Sequence, residues 1–63
     1  VVLGAVMSIN IEWQDQNGYW RHYQTKQNQA EAYRVAQRRA QSTGKRHRLV
    51  DCEGRLVDTL ESQ

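Results

Sequence analysis

The sequence predicts an α+β domain in ββαββ order, with an antiparallel-rich four-stranded sheet and one helix packed on one of its faces. Three observations carry that expectation. Short apolar runs with strand character stand in pairs near each end of the chain, an alanine-rich segment between them repeats at helical spacing, and polar clusters ending in Gly fall where hairpin turns are needed.

Residues 8–63 make a single domain, and a chain of 63 residues lies near the lower limit for folding on one hydrophobic core. With 38% apolar and 25% charged residues, no proline and eight glutamines, the composition is that of a wet globular protein. Cys52 is the one cysteine, so no internal disulfide can form. Secreted domains this small usually carry several bridges, and a reducing, cytoplasmic setting is expected. Val1 to Met7 form an N-terminal lead that is too short for a membrane span and lacks the basic start of a signal peptide, so no membrane partner is expected. Two readings stay open for it: a poorly ordered approach to the first strand, or non-native residues upstream of an initiator Met7.

The first strand is read from Ile9, Ile11 and Trp13 alternating with Asn10, Glu12 and Gln14. Asp15-Gln16-Asn17-Gly18 supplies turn chemistry, and the second strand runs from Tyr19 to about Thr25. A four-residue loop sets Trp13 opposite Trp20, Ile11 opposite His22 and Glu12 opposite Arg21, an aromatic pair and a charge pair that support that register. A loop of Asn17-Gly18 alone leaves the same residues sharing a face.

Asn28, followed three residues later by Glu31, marks a helix start, and Gly44 marks a left-handed end, so a helix is expected over Gln29 to Thr43. At about 100° per residue, Ala32, Tyr33, Ala36 and Ala40 form the inward stripe, with Val35 and Arg39 at its margin. Ala30, Arg34, Gln37, Arg38 and Gln41 point away. The alanines let the helix axis come close to a sheet.

Beyond Gly44, His47 to Val50 and Arg55 to Leu60 read as two strands joined at Asp51-Cys52-Glu53-Gly54. Two registers stay open, His47 opposite Asp58 or Arg48 opposite Asp58. The candidate core is Ile9, Ile11, Trp13, Trp20, Tyr33, Ala36, Ala40 and alternate members of Leu49, Val50, Leu56, Val57 and Leu60. If Trp20 is core, its replacement by Ala costs about 3–5 kcal/mol. If the second and third strands are neighbours, the helical link makes them parallel, with a right-handed crossover.

A Trp-bearing hairpin ending in Thr25, a helix with Ala32, Ala36 and Ala40 that closes in Thr43-Gly44, and a terminal Gly54-Arg55-Leu56-Val57-Asp58 occur in that order. Over residues 17–58 this order resembles a group of very small bacterial ββαββ domains of unknown function. The resemblance implies the same architecture and no active site, and this chain departs from the group in the arginine content of its helix.

Cys52, His47 and Asp58 are the residue types of a nucleophile, a base and an orienting acid, yet a free thiol in a turn has no desolvated pocket and no oxyanion donors. His22, His47 and Cys52 lack the paired spacing of a zinc site. No phosphate loop, dinucleotide fingerprint or paired-carboxylate motif occurs. No catalytic residue, metal ligand or cofactor is therefore expected, and the chain reads as a non-enzyme.

Charge distribution is the feature that points to a partner. Ala32 to Val50 holds Arg34, Arg38, Arg39, Lys45, Arg46 and Arg48 and no acid, while the rest of the chain is net acidic. Such polarity attracts anionic surfaces. Arg34, Arg38, Lys45, Arg46 and Arg48 are the candidate contacts for an anionic partner; Tyr19, Arg21 and Tyr23, taken to alternate on the sheet face opposite Trp13 and Trp20, are the candidate base-stacking platform of a nucleic-acid-binding protein. The bland account makes the tyrosines cross-strand packing residues and pairs Glu31 with Arg34 on the helix. A net charge of +2 is small for a nucleic-acid binder. The sheet face away from the helix offers a docking surface for a protein partner or a second copy, and this accessory-module reading is placed ahead of nucleic acid.

Overall fold

The structure, a computed structural model, describes residues Ser8 to Glu61; the N-terminal lead lies outside the described residues. Strands β1 (Ile9–Gln14) and β2 (Trp20–Lys26) precede helix α1 (Gln29–Thr43), and β3 (His47–Asp51) and β4 (Leu56–Leu60) follow it. This is the expected α+β ββαββ arrangement. The sheet order is β2-β1-β3-β4, and every neighbouring pair is antiparallel. Because β1 lies between β2 and β3, the parallel contact considered for those two strands does not form.

Local chemistry accounts for the helix limits. Asn28 Oδ1 accepts the Glu31 amide at 3.0 Å, and Gly44, at φ 75°, donates its amide to the Ala40 carbonyl. Ala32, Ala36 and Ala40 are buried against the sheet, which presents Ile9, Ile11, Leu49 and Leu60, with Val35 and Val57 packed at the edge of this cluster. Burying each of the four large aliphatic side chains contributes about 1.5–3 kcal/mol. Tyr33, expected in the core, is 39% exposed. The buried stripe leans the other way, so that Val35 and Arg39 are half-buried and Tyr33 turns out.

Both hairpins close on the same device. Asp15 and Asp51 each donate their amide to the carbonyl of the residue four positions on, and accept the amide of a following Gly, Gly18 or Gly54, on their carbonyl. Each side chain also caps the loop: Asp15 Oδ1 takes the amides of Asn17 and Tyr19, and Asp51 Oδ1 those of Glu53 and Arg55. Three residues, Gln16 to Gly18 and Cys52 to Gly54, lie between the closing pairs, so neither loop is a two-residue turn.

Pairing Asp15 with Tyr19 shortens the first loop by one residue relative to the expected register. Trp13 stands opposite Arg21, Glu12 opposite His22 and Gln14 opposite Trp20. The slip by one inverts the faces, because side chains alternate along a strand. Trp13 therefore shares the helix-side face with Ile9 and Ile11, while Trp20 is half-buried on the uncovered face. A bulge then inserts Tyr23 between the pairs Ile11/Gln24 and Glu12/His22. In the second hairpin Leu49, not His47 or Arg48, faces Asp58, and a bulge at Val57 brings Val50 opposite Leu56. Leu49, Leu60 and Val57 go to the core side, and Leu56 stays 61% exposed on the other.

Candidate functional site

The ion pairs show where charge is left over. Arg21 pairs with Asp15 at 2.8 Å, Lys26 with Glu31 at 3.5 Å, Arg46 with Glu61 at 3.2 Å, Arg48 with Glu12 at 2.6 Å, and Arg55 with both Asp51 and Glu53. Among the described residues every acidic side chain except Asp58 thus has a cation. The cations left without a carboxylate from the described residues are Arg34, Arg38, Arg39 and Lys45, all on α1 or just past its end. Glu31, expected beside Arg34, reaches back to Lys26 at the end of β2.

Arg34, Gln37, Arg38 and Gln41 are exposed and line one shallow depression on the outward side of α1. Their spacing places them on adjacent turns of one face, opposite the alanine stripe. Two of the five expected cationic contacts are committed elsewhere. Arg46 is held by Glu61, and Arg48 is held by Glu12 while its guanidinium lies 4.3 Å from the centroid of the Trp20 ring.

The expected stacking platform of Tyr19, Arg21 and Tyr23 does not lie on the uncovered face, because the one-residue slip turns Arg21 and Tyr23 to the helix side. Tyr19 is 66% exposed at the turn, and Arg21 lies opposite Trp13 and binds Asp15. The same slip turns Tyr23 to the helix side, where the Arg39 guanidinium sits 3.9 Å above its ring. Helical spacing sets Arg39 at the margin of the stripe, but gives no sign of this contact because it depends on the register of the first hairpin. A second concavity is lined by Trp13, Asp15, Asn17, Arg21 and Lys45. There Asp15 and Arg21 offset each other, and Lys45 lies 5.9 Å from the Trp13 ring.

The Arg21 guanidinium, helped by the Tyr19 and Asn17 amides, holds the Asp15 carboxyl below its usual range against the opposing effect of desolvation. For Asp51 the Arg55 amide is the largest influence in the same direction. His47 is fully buried, and that burial pushes its imidazole below 6.5, with the nearby Arg39 charge acting the same way and the Lys45 carbonyl opposing. Cys52 is exposed in its turn, remote in kind from the buried His47. No group of three or more His, Cys, Asp or Glu able to hold a metal occurs among the described residues, and no helix there is long and apolar enough to cross a membrane.

No family model matches the chain, and neither a curated protein nor a solved structure matches it.

Proposed function

We propose that this chain is a non-enzymatic binding module that takes a nucleic acid on the outward face of α1. The observation that carries the reading is the confinement of the carboxylate-free cations to α1 and its C-terminal junction. An acidic protein would also be attracted, but protein interfaces centre on desolvated apolar residues with charge at the rim. Here the centre is Arg34, Gln37, Arg38 and Gln41, with no aliphatic side chain among them. Phosphates suit such a surface better. A cytoplasmic setting and kinship with the small bacterial domains described above are part of this proposal.

A protein partner is the second reading, and it belongs to a different surface. On the uncovered sheet face Leu56 is 61% exposed opposite Val50, with Trp20 on the same face. That is the apolar centre α1 lacks, and a second copy of the chain is one candidate occupant.

Fluorescence anisotropy with labelled oligonucleotides over a salt series tests the first reading. Affinity is expected to fall steeply with salt, and Arg34→Gln with Arg38→Gln to weaken binding about tenfold or more. Salt-independent binding, or a double variant that binds like the parent, would count against the helix face.

A further inference from the structure

Resting on the reading that α1 binds nucleic acid, we infer that the target is duplex DNA and that α1 lies in its major groove, with Arg34, Gln37, Arg38 and Gln41 against base edges and Lys45 against a phosphate.

A single strand is usually held by stacking its bases on open aromatic faces. In this protein two rings already carry a cation of the same chain, Tyr23 under Arg39 at 3.9 Å and Trp20 under Arg48 at 4.3 Å, and Trp13 is half-buried on the helix-side face. Tyr19 and Tyr33 are exposed, but one is in a turn and the other on the helix. They form no shared platform.

A duplex makes different demands, and α1 meets them. The alanine stripe fastens the helix to the sheet without using its outward half. A helix about 10–12 Å across enters a B-form major groove of about 12 Å, whereas the minor groove, at about 6 Å, is too narrow for it. From Arg34 to Gln41 the axis rises about 10 Å, which spans about three base pairs at about 3.4 Å each. Arginine forks onto guanine O6 and N7, and glutamine pairs with adenine N6 and N7, so this set of side chains is equipped to read purines.

Electrostatics agree with the placement. The one acid of α1, Glu31, is in the first turn and is tied to Lys26. From Ala32 onward nothing on the helix repels a phosphate. Lys45 pairs with no carboxylate among the described residues, and its one aromatic neighbour there is near the outer limit of a cation–π contact, which leaves its ammonium available to the backbone at the groove edge. An RNA duplex is disfavoured because its major groove is too deep and narrow for side chains to read.

The test begins with selection of bound duplexes from a random-sequence DNA pool. The enriched duplex is then compared by anisotropy with the same duplex carrying 7-deazapurines, with the matching RNA duplex and with each single strand. Enrichment of a purine-containing site is expected. Loss of the N7 acceptors should weaken binding about tenfold, the equivalent of about 1.4 kcal/mol. Gln37→Ala with Gln41→Ala should narrow that gap at unchanged salt slope, and an unchanged thermal midpoint shows the variant is folded. No enrichment, equal binding of the deaza duplex, or tighter binding of RNA or single strands overturns the major-groove inference and leaves the nucleic-acid reading standing. Failure of every oligonucleotide to bind overturns both.

Discussion

His47 donates its Nδ1 proton to the carbonyl oxygen of Lys45 across 2.9 Å, and its Nε2 is buried with no polar partner. A carbonyl can only accept, so this contact sets the tautomer and leaves a lone pair facing the interior. The ring is wholly buried opposite Trp13 and Leu60, in the field of Arg39, whose Nε is also buried without a partner. Together they form a polar seam between the end of α1 and the start of β3, stable while the imidazole is neutral.

Acid should therefore weaken the fold through His47. Its folded pKa lies below 6.5, so the unfolded chain takes up the proton first. The stability due to the neutral ring is fully present above 6.5 and is lost as pH falls through the lower, folded value. Imidazole resonances followed by NMR across the acid limb should place the His47 midpoint below 6.5. A midpoint at or above that value contradicts the buried neutral ring.

The hairpin carboxylates respond at lower pH. Asp15 and Asp51 are both held below 3.8, so their contribution is present above 3.8 and disappears as pH drops through their folded values. At neutral pH, Asp15→Asn keeps an oxygen for the Asn17 and Tyr19 amides but loses the Arg21 pair, while Asp15→Ala loses all three contacts. Thermal midpoints should fall in the order parent, Asn, Ala. Equal midpoints for the two variants would remove the capping role of the side chain.

Face inversion in the first hairpin reverses the expectation for Trp20. Ile11 is 0% exposed, and its replacement by Ala should cost about 2–5 kcal/mol, comparable with the whole stability of so small a domain. Trp20→Ala removes a half-buried ring and its Arg48 contact on the uncovered face, and the protein should keep a cooperative melt. Circular-dichroism melts of the two variants decide this, since a folded Ile11→Ala beside an unfolded Trp20→Ala would restore the register with Trp20 inward.

Close approach of α1 to the sheet makes Ala36 intolerant of size. Ala36 is 0% exposed at the centre of the stripe, and Leu there should destabilise by about 1–3 kcal/mol by pushing the helix outward. Urea denaturation reads the loss. A more stable Ala36→Leu protein would reveal unfilled space beneath the helix.

The candidate site was legible in part. Arg34 and Arg38 face outward as helical spacing requires, since their direction depends only on the turn of the backbone. Arg46 and Arg48 look the same in the sequence, but Glu61 and Glu12 claim them across the fold, and no local pattern announces those partners. Tyr23 left the sheet face assigned to it because the closing pair Asp15–Tyr19 shifts β2 by one residue, which no local pattern announces.

Element order, helix limits and the alanine stripe were determined by the sequence itself, because caps such as Asn28 and Gly44 and a repeat of about 3.6 residues act within a few positions of the chain. Which faces the strands turn inward, which aromatic ring meets which cation and which arginines keep their charge free were decided by tertiary structure. A strand has two faces and a period of two, so the hydrogen bonds that pair Asp15 with Tyr19, and the bulges at Tyr23 and Val57, each reverse the sense of the residues beyond them.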